Sequence, residues 1–567
     1  MSTSARPAHR TQAKLDNDDG AFRLPLFPRR HFLQIYPHAV KLETKPEPAP
    51  HLRWEPCLAV FLVFCFCLIN LLVATRSPTV SVDEPEYCDP AANLHFGSGF
   101  TSTLWAQNHD AFWCGNVPLY QGILCCFFNI AGFGLFQARI VNTFLAALAA
   151  LLICAALRRN EIVKSSMYRL ICVCLILSGS VSTLTFRTIR PDTTMFLACS
   201  LVFFACSLRG LWQRHFFAFL ASALLPFAGV PMLPYAAMLL FLNFIVYGFA
   251  NLGLLIAVGL GFASGVAGLV IFYNHFSTWH TFVDIVLPFT GIGGAASGSA
   301  PSLFQRIFGA GLGGENIFTS FFGNPLEFLD QKTLFDYSAA LLFVAAVALA
   351  VKSWHAATIP DRKFMTFILV MAVIVPPFMH MAGHYRSMYR WMTYIPLAIA
   401  LPRFLEIHKA AGGRFSLRFA AILVILFSLC LGLPLRTAAA IPGWRGRSIK
   451  PLERVAARVM RPPDVVICEA KSYFALRPGT KLLYGFGFPA RGEFRLITDL
   501  PTNDVSLLCL RPEDVAPVIQ AIGGTWKKLD LRDVPGADAL AQTRYAVDFY
   551  RRESDPAPSL LKNTSPQ

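Results

Sequence analysis

Long apolar stretches separated by short polar ones run along most of the chain, and eleven of them read as membrane-crossing helices. A helix needs about 20 apolar residues to cross ~30 Å of hydrocarbon. The expected spans are 58–74, 139–157, 170–186, a fourth ending before Arg209, three short ones within 216–275, then 334–351, 364–379, 391–405 and 420–435. Residues 118–136 are also apolar but contain Gly122, Gly132 and Gly134 and have no charged flank, so they read as an interfacial or partly inserted helix. The pattern changes at 441. Short apolar runs at 465–469, 481–486, 505–510 and 545–550 surround a helical pattern at 512–522, which predicts a small α/β domain.

Composition agrees with the pattern. Of 567 residues 54% are hydrophobic and 15% charged, where soluble chains average about 25% charged. An ordinary soluble enzyme is excluded. In such a protein the net charge of +16 would raise a nucleic-acid partner, but here the basic residues fall mostly in one set of loops, as the positive-inside rule requires.

Residues 1–54 carry nine Lys/Arg and much Pro, with no apolar stretch leading to a cleavage site, so they read as a cytoplasmic basic tail without fixed structure. Segment 77–138 holds no Lys or Arg and five acids, Asp83, Glu84, Glu86, Asp89 and Asp110, which places it outside. The expected organisation is a tail (1–54), a transmembrane domain (55–440) with external loops 76–138 and 274–332, and an extracytoplasmic α/β domain (441–567). Cys88 and Cys114 flank the acidic loop, and an oxidising compartment would permit a bridge between them.

Asp83 and Glu84 lie just beyond the first span. Adjacent carboxylates repel, and near lipid one of them should hold its proton more tightly, the condition for a general base near neutral pH. The same pair also fits a solvated loop that fixes orientation. Arg187 and Arg190 stand outside against the positive-inside trend and need a counter-charge. Asp192 or Asp83 could supply it, or a lipid phosphate, which guanidinium matches bidentately. A third cluster, His380, His384, Tyr385, Arg386, Tyr389 and Arg390, lies on the same expected face.

The order of these features resembles the GT-C superfamily of membrane glycosyltransferases. It runs from an apolar span and an Asp-Glu loop through Val117-Pro118-Leu119-Tyr120 and Phe136-Gln137-Ala138-Arg139-Ile140-Val141-Asn142 to Arg190-Pro191-Asp192. It is most similar to the branch holding protein O-mannosyltransferases, aminoarabinose transferases of lipid A and RgtA/B/C/D-like galacturonosyltransferases. The match is detailed over 58–195 and general beyond. The resemblance implies transfer of one sugar from a polyprenyl-monophosphate carrier to a hydroxyl of a lipid, glycan or protein acceptor on the extracytoplasmic side; in-line attack opposite the phosphate would invert the anomeric centre. Asp83 matches the acid used as base and Glu84 its neighbour. Relatives often carry His or an acid-Lys pair before the proline of the second motif, where this chain has Asn116 and Val117. Phosphate binding then rests on Arg187, Arg190, Asp192, His384, Arg386 and Arg390, with acceptor or sugar contacts from Tyr87, Asp110, Trp113, Asn116 and Tyr120.

No cofactor and no metal ligands are assigned, although the carboxylates leave a divalent cation possible. Gly291 to Ala296 resembles part of a dinucleotide fingerprint without its flanking strand and helix, and reads as a loop. A transporter or flippase is the rival reading, as is a lipid-linked oligosaccharide ligase. Transporters place ionisable groups at mid-membrane between repeats, whereas here charge gathers at span ends. The expected location is a bacterial inner membrane, with the site facing the periplasm.

Overall fold

The computed structural model describes residues 54–104, 112–115, 117–283, 337–381, 387–462, 464–480, 482–485 and 503–553. The basic tail through 53, Asp110, Asn116, His384, Arg386 and the glycine-rich stretches of 284–336 lie outside the described residues.

The chain is a polytopic α-helical membrane protein. Its first span is α1 (Glu55–Val73). The acidic segment, expected as a loop, instead opens with a helix, α2 (Asp83–His95). Asp83, Glu84 and Glu86 fill its first turn, where unpaired N–H groups and the helix dipole favour negative charge. Next come α3 (Pro118–Ala131), at the expected interfacial stretch, and α4 (Leu135–Arg159).

The third span is broken into α5 (Ser166–Ser178) and α6 (Ser180–Phe186). The break falls at Gly179, where an added Cβ would collide with the Tyr394 hydroxyl. Only glycine admits that approach. Beyond it lie α7 (Asp192–Cys206), α8 (Leu211–Ala223), the single turn α9 (Leu225–Ala228), α10 (Met232–Tyr247) and α11 (Leu252–His275). The later spans are α12 (Tyr337–Ser353), α13 (Ile359–Met381), α14 (Trp391–Ala410) and α15 (Phe415–Leu431). Among the described residues a helix lies at each of the eleven expected spans, and five of them, at α1, α4, α5 with the start of α6, α11 and α15 with the turn after it, are long and apolar enough to cross a membrane.

The C-terminal part forms a five-stranded sheet of β1 (Val465–Cys468), β2 (Leu482–Gly485), β3 (Leu507–Leu510), β4 (Trp526–Lys528) and β5 (Asp548–Arg552), ordered β2-β1-β3-β5-β4. β1 pairs in parallel with β2 and β3, while β5 runs antiparallel to β3 and β4. β1 and β3 are apolar and buried throughout, as strands covered on both faces must be. β4 and the helix at Lys450–Val459 escaped the sequence reading.

Of the four hydrophobic clusters among the described residues, two bear on the site. One fills the helix bundle. The other is shared by α2, α3 and the sheet, bringing Tyr87, Cys88 and Tyr120 into one cluster with Val466, Tyr473 and Leu483. The sheet is therefore seated on the segment that carries the candidate carboxylates. Cys88 and Cys114 are not bridged to each other.

Candidate active site

The first turn of α2 meets the short segment between α6 and α7, and α4 holds both. Arg139 reaches Glu84 through two parallel bonds, Nε to Oε1 and Nη2 to Oε2, each 2.8 Å. Its Nη1 donates to the carbonyls of Ala74 and Pro78, at 2.7 and 2.8 Å. Glu84 also accepts the backbone N–H of Ser81 at 2.8 Å and of Ile189 at 3.0 Å. A carboxylate has about four acceptor positions, and all are used. Glu84 thus ties α1, α2, α4 and the 187–190 turn into one unit. One turn further along α4, Asn142 Nδ2 donates to the carbonyls of Thr188 and Arg190.

Arg190 lies at the centre. Its Nε donates to Asp192 Oδ2 at 3.0 Å and its Nη1 to Asp83 Oδ2, so the counter-charges are internal. The guanidinium lies over the rings of Tyr87 (5.4 Å) and Tyr389 (5.9 Å). Burial opposes its charge, but Asp192, the two tyrosines and Asp83 more than offset that and hold it above the usual arginine range. Asp192 is in turn fixed by the indole N–H of Trp391 at 3.1 Å.

Asp83 differs from its neighbours. Its side chain is 41% exposed while that of Arg190 is 5% exposed. Oδ2 is held, whereas Oδ1 has no hydrogen-bond partner among the described residues. The expected repulsion between Asp83 and Glu84 is relieved because each faces its own arginine. Glu86 is pushed up to about 7, by burial first and by Asp83 next, with Arg190 pulling the other way. The sequence reading counted Glu86 among the acids of the segment without giving it a role, although its spacing of three from Asp83 places both on one side of α2.

Arg187 is 5% exposed. It donates from Nη2 to the Ser77 carbonyl at 3.2 Å and has no carboxylate within ion-pair distance among the described residues. Burial, then the nearby Arg139 and Arg436, lower its guanidinium to about 10. A buried cation without a counter-charge is costly, and an anion arriving there would relieve the cost.

The remaining expected residues separate into groups. Tyr87 lies in the Arg190 cluster, and Arg390, half-buried, opens α14 beside Trp391. Trp113 and Tyr120 are fully enclosed in the shared core and present no face to a ligand. No group of three or more His, Cys, Asp or Glu suited to a metal ion occurs among the described residues.

The helical membrane bundle carries a carboxylate-bearing helix after its first span and a small sheet docked on that helix, a GT-C-like layout. No protein-family model matches the chain, and no curated protein does. Solved structures match. ArnT from Cupriavidus metallidurans bound to undecaprenyl phosphate superposes with a TM-score of 0.56 over 91% of this chain and 100% of its own, at 10% identity. The same ArnT in the apo state gives 0.46 over 87% and 98%, at 12% identity. The archaeal oligosaccharyltransferase AglB from Archaeoglobus fulgidus, in complex with an inhibitory peptide and a dolichol-phosphate, gives 0.44 over 87% and 72%, also at 12% identity. The likeness to the first is one of fold.

Proposed function

We propose that this protein is a glycosyltransferase that moves a single sugar from a polyprenyl-monophosphate carrier to an acceptor hydroxyl at the extracytoplasmic face of its membrane. The observation that carries the reading is Asp83. A buried arginine orients one of its oxygens, and the other is open where the acceptor would arrive. That is how a general base is presented. The fold likeness to an ArnT crystallised with undecaprenyl phosphate supports the carrier class.

In the proposed reaction Asp83 takes the acceptor's hydroxyl proton as that oxygen attacks the anomeric carbon. The bond from that carbon to the carrier phosphate breaks on the opposite side, so the anomeric centre inverts. The phosphate leaves as a dianion and needs positive charge more than a proton. Arg187 supplies it from its uncompensated position, with Arg390, Arg386 and His384 as further donor contacts. Arg190 is neutralised by two carboxylates and orients Asp83. Glu84 keeps the unit together, and Tyr87, Asp110 and Asn116 remain contacts for sugar or acceptor. The site faces the periplasm of a bacterial inner membrane, with 1–54 as the cytoplasmic tail and 441–567 as the extracytoplasmic domain.

Incubating the purified protein with a panel of polyprenyl-phosphate sugars tests the reading. Donor cleavage by the wild type and its loss in folded Asp83→Asn are expected. A broad, well-controlled panel without cleavage would return the transporter reading to the front.

A further inference from the structure

The sheet and the helix that carries the carboxylates are joined by buried polar bonds as well as by a shared core. Tyr473, fully buried just after β1, donates its hydroxyl to Asp89 Oδ1 at 2.9 Å. Asp89, also fully buried, accepts the Ser102 hydroxyl at 2.8 Å and the Thr103 N–H at 2.9 Å on Oδ2. One turn along α2, Asn93 Oδ1 accepts from Arg477 Nη2 at 2.8 Å and from Nε at 3.1 Å. The Arg477 guanidinium lies 4.7 Å over the Phe96 ring, and the Thr103 hydroxyl donates to the Leu483 carbonyl on β2.

Apolar contact alone would hold the two parts together at less cost, because burying a carboxylate and a guanidinium carries a desolvation penalty. What directional bonds add is register. The helix needs that help. Pro90 lies inside α2, has no N–H for the carbonyl of Glu86, and crowds it. The helix is weakened between Asp83 and Asp89. Asp83 stands six residues before Asp89, about 9 Å along the axis at ~1.5 Å per residue. Glu84 pins the first turn to Arg139, and the contacts at Asp89 and Asn93 pin the rest of the helix, so the line on which Asp83 approaches Arg190 is set from both ends.

We propose that the C-terminal domain is a positioning element for the catalytic helix. Tyr473 acting on Asp89, and Arg477 acting on Asn93, hold α2 where Asp83 is seated against Arg190. The role of Asp83 in this inference rests on the transferase reading, whereas the clamp itself is a statement about α2. Tyr473 and Asp89 are positioning residues and touch no substrate. The sheet then acts on turnover, and carrier binding belongs to the bundle.

The test uses the full chain in lipid nanodiscs, as wild type, Tyr473→Phe, Asp89→Asn, the double variant, and Lys528→Ala, which alters an exposed pair with Asp548 far from the clamp. Turnover is read with a labelled polyprenyl-phosphate sugar, binding stoichiometry with polyprenyl phosphate alone, and α2 mobility by hydrogen exchange. Each clamp variant is expected to lose at least tenfold in kcat, with carrier stoichiometry unchanged and α2 exchange faster. Asp89→Asn leaves one acceptor oxygen for Tyr473 on one side and Ser102 and Thr103 on the other, so it should lose at least as much as Tyr473→Phe. The double variant should lose less than the product of the two single losses because the residues are in contact, and Lys528→Ala should match wild type. Wild-type kcat in Tyr473→Phe overturns the inference. So does a fall in kcat matched by equal loss of carrier stoichiometry, which is misfolding. If the wild type cleaves no donor, the transferase reading fails, and exchange alone decides: unchanged α2 exchange in Tyr473→Phe removes the clamp as well.

Discussion

Glu84 and Arg139 face each other in a bidentate pair 2.8 Å apart, with their side chains 0% and 2% exposed. Breaking such a pair leaves a buried charge alone, which costs about 3–5 kcal/mol. Arg139→Gln should therefore unfold at a clearly lower temperature than wild type in the same detergent, and Arg139→Lys should not restore it, because an ammonium cannot form both bonds. A thermal midpoint equal to wild type in Arg139→Gln would show that Glu84 does not tie the four segments together.

Arg187 is the opposite case. It has one hydrogen bond, no carboxylate within reach among the described residues, and two arginines nearby. Replacing a buried cation that lacks a counter-charge with an apolar chain of similar length should not destabilise the fold and should stabilise it slightly. Arg187→Met is expected to keep or raise the thermal midpoint while weakening polyprenyl-phosphate binding by tenfold or more, measured on immobilised protein. Loss of stability with intact carrier binding would assign Arg187 a structural part.

Much of this architecture is legible in the sequence because apolar length alone marks a span. The broken third span and the helical acidic segment are less so. Pro85 and Pro90, set among acidic residues, look like loop chemistry, and only the contacts of α2 with α3 and the sheet make it a helix. At the site, Asp83 and Glu84 look like one unit because they are adjacent. On a helix, neighbours point about 100° apart, so one meets Arg190 and the other Arg139, from partners 107 and 55 residues away. No local pattern reveals such pairings. β4 is three residues long and mostly exposed, too little for any alternation to register.

Glu86 gives stability a pH dependence with a definite sign. Its carboxyl lies at about 7 in the fold against an ordinary 4.5. The folded state therefore binds more protons than the unfolded one between those values, and stability from this group is full below 4.5 and is lost as pH rises through 7. Glu86→Gln removes the ionisation. Its thermal midpoint minus that of wild type should grow from pH 4.5 to 7 and level off above. A difference that is flat across this range would mean that Glu86 ionises freely in the fold.

Arg190 makes a demand that charge alone does not meet. Its Nε and Nη1 engage different carboxylates while its plane lies over Tyr87 and Tyr389. Lysine at this position keeps the charge but offers a compact ammonium on a flexible stem, unable to span Asp192 and Asp83 at once or to stack. One carboxylate must lose its partner. Asp192 is enclosed and keeps the Trp391 indole, whereas Asp83 is exposed enough to turn towards water, so Asp83 is the one released. Arg190→Lys should bind polyprenyl phosphate within about twofold of wild type yet turn over at least tenfold more slowly, because orienting the base is worth a factor of that order or more. Equal losses in binding and turnover would instead place Arg190 on the carrier phosphate, and the division of labour between Arg187 and Arg190 would have to be reversed.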